Sequence, residues 1–168
     1  MLLIICSCVT ALHLAAALAT QDSARRHLAA WLKGARYEGL EDVALQTHNM
    51  NCGPSALKMV LDSLGVKRTL AEIEDAITID ERGSSLFDLM TYAQNQGLRA
   101  EAWQLNVDDL QDKKLPAIVF VYQDHFAVLD RITPQGEVQL RDPAIGQLRM
   151  NKDAFEKIWN GETLLIKK

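Results

Sequence analysis

Apolar residues recur along this chain with two different periods, one helical and one extended. Between Pro54 and Gly65, Leu57, Val60, Leu61 and Leu64 stand at i, i+3, i+4 and i+7, the spacing of one face of an α-helix. Pro54 suits position N1 of that helix, where no N–H is needed, and Gly65 stops it. Thr69 with Glu72 forms a capping-box pattern ahead of Ile73, Ala76 and Ile77. Ser85 can cap a third helix that carries Leu86, Leu89, Met90 and Ala93 up to Gly97.

After Gly97 the period falls to two. LRAEAWQL alternates, LPAIVFVY is a β-branched apolar run, HFAVLDRI follows closely, and EVQLRDP comes after the turn residues Pro134-Gln135-Gly136. These segments predict an antiparallel sheet. A late helix from Lys152 to Trp159, ended by Asn160-Gly161, and a last strand ETLLIKK complete the pattern. Helices first and strands afterwards make the class α+β. Residues 20–44 read as a polar, arginine-containing lead-in with a short helical pattern in Leu28, Trp31 and Leu32. No repeat, low-complexity stretch or Pro/Gly-rich linker divides the rest, so residues 45–168 read as one domain.

Composition narrows the function classes. A chain of 168 residues, 48% hydrophobic, has the size of one globular domain and no room for a transporter or an ATPase. It has no Walker motif and calls for no ATP. With 18 basic against 22 acidic residues and no basic run, it lacks the electrostatic footprint of a nucleic-acid binder. Its three cysteines form neither CxxC pairs nor Cys/His zinc spacing, so no metal or other cofactor is expected.

The distribution of the cysteines says more than their number. Met1 to Ala19 holds no Lys, Arg, Asp or Glu and ends in Ala17-Leu18-Ala19, a small-residue cleavage pattern. Residues 1–19 are therefore expected to be a secretory signal peptide, with a membrane anchor or a lipoprotein signal on Cys6 or Cys8 as the alternatives. The protein is expected to be exported, periplasmic or extracellular, and to touch a membrane only through an uncleaved N-terminus. Removal of the signal takes Cys6 and Cys8 with it and leaves Cys52 as the single thiol.

Cys52 precedes Gly53-Pro54 and opens the strongest helix of the chain. At a helix N-terminus the free N–H groups and the dipole favour thiolate over thiol, and the thiolate is the nucleophile. A merely structural cysteine would fall within the apolar stripe rather than at its start. His125 stands at the opening of a strand whose alternate residues Phe126, Val128 and Asp130 point away from it, so its imidazole can face a cleft. Asp142, at the end of VQLRDP, can hold that imidazole by its second nitrogen. Gln46, six positions before Cys52, can set an amide N–H₂ beside the Cys52 backbone N–H as a pair of oxyanion donors. The competing histidines are His27, in the lead-in, and His48, on the presumed loop before the cysteine.

LQTHNMNCGPSALKMVLDSLG, LPAIVFVYQDHFAVLDRI and VQLRDPAIGQLRM, taken together and in this order, resemble the bacteriocin-processing, double-glycine-leader cysteine peptidases. The resemblance runs from about Leu45 onward. It implies a papain-like fold with Cys52 as nucleophile, His125 as general base and acid, Asp142 as the residue orienting the histidine and Gln46 as oxyanion donor. It also implies a leader-peptide substrate cut after a Gly-Gly pair, and peptide-export machinery as a partner. Many relatives form the N-terminal domain of a peptide-exporting ABC transporter, and the short chain departs from them in that respect. Asp124 departs too, because relatives often carry a small or amide residue beside the histidine; a carboxylate there is expected to raise the imidazole pKa or bias specificity. The chain is thus expected to be a cysteine peptidase working through an acyl-enzyme. The alternatives are another papain-fold hydrolase or acyl transferase, such as a peptidoglycan-peptide hydrolase, and a non-catalytic leader-binding domain.

Overall fold

A computed structural model of the protein describes residues 24–168. The expected signal sequence, residues 1–19, lies outside the described residues. In chain order the elements are a helix α1 over residues 24–32, β1 (Arg36–Gly39), α2 (Cys52–Ser63), α3 (Leu70–Ala76), α4 (Leu86–Asn95), β2 (Arg99–Gln104), α5 (Val107–Gln111), β3 (Ala117–Val121), β4 (His125–Ile132), β5 (Glu137–Asp142), β6 (Gly146–Asn151), α6 (Lys152–Glu156) and β7 (Trp159–Lys167).

The helices follow their local signals. Leu57, Val60 and Leu61 of α2 are fully buried, and the helix ends where the N–H of Gly65, at φ +73°, returns to Asp62 and that of Val66 to Leu61. This is the paired-bond C-terminal motif that a left-handed glycine permits. Thr69–Glu72 and Ser85–Asp88 both form complete capping boxes at the starts of α3 and α4. Pro54 occupies the third helical position rather than the first, because α2 already begins at Cys52. Its missing N–H is harmless there as well, since the first four N–H groups of a helix have no intrahelical partner.

The strands form one antiparallel sheet of seven in the order β1-β6-β5-β4-β3-β7-β2. Its central strands are buried on both faces. One face carries Ile118, Phe126, Val128 and Leu164 against α2, α3 and α4. The other carries Val119, Ala127, Leu129 and Leu140, covered by Ala30 of α1, Leu110 of α5 and Phe155 of α6.

Three expectations change. The late helix stops at Glu156, and the segment Trp159-Asn160-Gly161 opens β7. Trp159 lies over Phe155 with ring centroids 5.0 Å apart, a contact that mimics helical i,i+4 spacing, while the Gly161 carbonyl accepts the Leu105 N–H at 2.9 Å. GQLRMN, to which the periodicity assigned no element, is strand β6. Within the segment read as a lead-in, residues 36–39 add β1 to the sheet edge, and Ala30 and Ala35 are buried in the second core.

Candidate active site

Cys52 is the first residue of α2 and is 7% exposed. The first helical bond runs from Ser55 N–H to the Asn51 carbonyl at 3.0 Å, so the Cys52 and Gly53 N–H groups have no helical acceptor. Asn51 stands in the capping position but turns its side chain to Thr47 and Glu74, and it caps no N–H of the helix. With no acidic residue in the first turn, the positive end of the helix is left for the sulfur and for an oxygen developing beside it.

His125 and Asp142 come from neighbouring strands. Val128 pairs with Arg141, so the next residue of β5, Asp142, falls beside Ala127; His125, two residues earlier on the same face, is its diagonal neighbour. Nε2 of His125 donates to Oδ1 of Asp142 at 2.8 Å, and both side chains are 1% exposed. Oδ1 also accepts the Ala144 N–H at 2.8 Å, which fixes the carboxylate in the turn that follows β5. The opposite ring nitrogen, Nδ1, is buried and closes no hydrogen bond of good geometry among the described residues. It is the nitrogen left for the thiol, and contacts of this kind tighten only when substrate binds.

The electrostatics are those of an ion pair. Burial alone raises the Cys52 thiol, but the neighbouring His125 imidazole, joined by the Phe126 N–H, outweighs it and holds the pKa below its ordinary 9.0. Burial likewise opposes the charged imidazole, yet the charge and hydrogen bond of Asp142, with the neighbouring Cys52 sulfur, push His125 up to about 9. Each partner stabilises the charged form of the other.

Gln46 lies half-buried on the segment leading to Cys52, its N–H donating to the Pro143 carbonyl at 2.9 Å. Its Oε1 is buried without a hydrogen-bond partner among the described residues. The structure therefore assembles Cys52, His125 and Asp142 and binds the Gln46 segment to the strand end that carries Asp142.

Comparison with known proteins identifies the family. A model of the Peptidase C39 family matches residues 41–168. The chain belongs to the Peptidase C39 family. It is 30% identical over 130 residues to an uncharacterized protein of Methanothermobacter thermautotrophicus, covering 77% of this chain and 91% of that one. It is 32% identical to the probable functional amyloid protease FapD of Pseudomonas aeruginosa, over 71% of this chain and 58% of that protein. Among solved structures, a double glycine motif protease from an AMS/PCAT transporter, crystallised with the leader peptide, superposes with a TM-score of 0.71 at 25% identity, over 74% of this chain and 89% of that one. The α+β fold is thus that of the papain-like C39 peptidase domains.

The other histidines stand apart from the Cys52–His125–Asp142 line. The His27 ring meets Tyr37 edge-on at 5.5 Å, and His48 accepts the Met50 N–H on Nδ1 while Nε2 lies 3.7 Å from Glu74. Asp124 is not among the groups that raise His125; its carboxylate is 3.5 Å from the Arg26 guanidinium. Two residues near this C39 site escaped the sequence reading. Arg26, on α1, lies near enough for its charge to favour the Cys52 thiolate, and Tyr122 opens the turn that leads to His125. An arginine pair in a polar segment and a tyrosine at a strand end carry no pattern that announces either position.

Proposed function

We propose that the protein is a cysteine endopeptidase that removes leader peptides after a Gly-Gly-type sequence. The observation that carries this reading is the buried 2.8 Å bond from His125 to Asp142, with the opposite imidazole nitrogen left for a cysteine at a helix N-terminus. The Cys52 thiolate attacks the scissile carbonyl, and the oxyanion receives the Cys52 N–H and the Gln46 amide. His125 gives its proton to the leaving amine, which departs and leaves a thioester on Cys52. The imidazole then takes a proton from water, whose oxygen attacks the thioester and releases the acid. Asp142 holds the ring with Nε2–H bonded and so keeps Nδ1 for the reaction. None of these steps requires a metal or a nucleotide.

A leader-peptide substrate is supported by the double glycine protease, which was crystallised with one. Its origin in a transporter supports peptide-export machinery as a partner, and the uncharged stretch Met1–Ala19 supports export of the protein itself. The decisive experiment compares the wild type with Cys52→Ala on a Gly-Gly leader peptide and on murein. The wild type is expected to cut the leader after the glycine pair and to leave murein intact, and Cys52→Ala is expected to fold normally and cut neither. Release of cell-wall peptides with an intact leader would reverse the substrate assignment. Full activity in Cys52→Ala would overturn the mechanism.

A further inference from the structure

Beside Asp142 lies a cavity of about 330 Å³ that the reading above does not use. Its walls come from α1 (Arg25, Arg26, Ala29) and from Tyr122, Asp124 and Ile145. Residues 24–32 precede residues 41–168, the region that the C39 family model matches, so the family match does not account for this wall. Arg26 ties α1 to the β3–β4 turn through Asp124 at 3.5 Å.

That turn is held in an uncommon conformation. Tyr122 and Gln123 both have positive φ, 56° and 67°, and the Asp124 N–H returns to the Val121 carbonyl at 3.3 Å. This mirror-image turn is ordinarily made by Asn or Gly, so Tyr122 holds its place there against backbone strain. The Tyr122 hydroxyl is buried with no hydrogen-bond partner among the described residues. Burial and the nearby Asp142 charge push its pKa up to about 12, so it remains a donor at working pH.

The direction of the reaction tells which half of a substrate meets this cavity. His125 protonates the leaving nitrogen, so the departing segment lies on the imidazole side of the sulfur. Asp142 sits at the ring nitrogen opposite the one left for Cys52, and the cavity begins at Asp142. A volume of about 330 Å³ is at the small end for ligand clefts, which run to about 1,000 Å³. Among its walls the charges of Arg25 and Arg26 are balanced by those of Asp124 and Asp142, which favours no net charge in the occupant.

We propose that α1, Tyr122 and Ile145 form the subsite for an uncharged residue shortly after the scissile bond, with the Tyr122 hydroxyl donating to a main-chain carbonyl of that segment. The proposal rests on the peptidase reading above. Its test pairs two substrates with the same Gly-Gly acyl half: a peptide that continues past the bond, and a methyl ester whose leaving group is methanol. In the full chain, Ala29→Trp fills the cavity from an exposed helical position. It is expected to lower kcat/KM on the extended peptide at least about tenfold, chiefly through KM, and to leave the ester within about twofold. Tyr122→Phe removes one oxygen without threatening the fold, and is expected to cost about three- to tenfold on the extended peptide alone, the worth of one hydrogen bond. Equal losses on both substrates, or losses on neither, overturn the subsite. A wild type that turns over neither substrate although iodoacetamide alkylates Cys52 overturns the peptidase reading itself, and the subsite with it.

Discussion

The Gln46 N–H donates to the Pro143 carbonyl at 2.9 Å, and this one bond sets the segment ahead of the proposed nucleophile against the strand end that carries Asp142. The bond uses backbone atoms only, so the Gln46 side chain is removable without undoing it. Gln46→Ala is expected to leave the fold and the alkylation rate of Cys52 unchanged while kcat falls about 10²–10³-fold, the usual loss for one oxyanion donor. An unaltered kcat removes Gln46 from the mechanism.

The pH dependence follows from the two shifts. The reactive form needs thiolate and imidazolium together. With the thiol held below 9.0 and the imidazole pushed up to about 9, that pair exists between the two limits. The expected kcat/KM profile therefore rises as pH passes the lowered thiol pKa and falls through about 9, and both limbs belong to the coupled pair. Asp142→Asn keeps an oxygen for the Ala144 N–H but loses the charge that raises the imidazole. Its alkaline limb is expected to move to lower pH and its acid limb to higher pH, narrowing the bell. An alkaline limb that stays in place assigns it to another group.

Gly53 supplies a packing test at the same helix start. A Cβ at this position falls on Ser84 Oγ and comes within 3.3 Å of the Leu89 and Phe126 side chains. Gly53→Ala is expected to destabilise the protein by about 1–3 kcal/mol, the range for overpacking a core. Thermal unfolding reads this as about 2–4 °C per kcal/mol for a domain of this size. Because Phe126 also supplies the N–H at the sulfur, activity is expected to fall with stability. The double variant Gly53→Ala/Ser84→Gly is expected to regain most of both; a melting temperature unchanged in the single variant means that the contact is slack.

The parts of the fold that were legible in the sequence are those whose causes are local. Thr69–Glu72, Ser85, Gly65 and Gly97 act within a few residues of themselves, and the helices they bound appear where the stripes place them. The pattern around Cys52, His125 and Asp142 was legible for a related reason: a helix start and two strand ends are positions that short sequences announce. What escaped was long-range. β1 is four mostly exposed residues and becomes a strand only because β6 offers it an edge. Trp159 and Phe155 share a helical spacing that the chain uses for stacking across a strand start. Arg26 meets Asp124 from a distant part of the chain, and neither residue alone signals the other.

The sheet order has a consequence for when the protein can first act. β7 lies between β3 and β2, yet among the described elements it comes last in chain order. While a nascent chain still lacks residues 158–167, β3 has an open edge, and the β3–β4 turn lacks the Ile158 carbonyl that accepts the Tyr122 N–H at 2.7 Å. Strand pairings between distant segments form late in folding. Synthesis must therefore run through Lys167 before the strand bearing His125 has its full surroundings, which delays assembly of the reactive pair until translation of this region is complete.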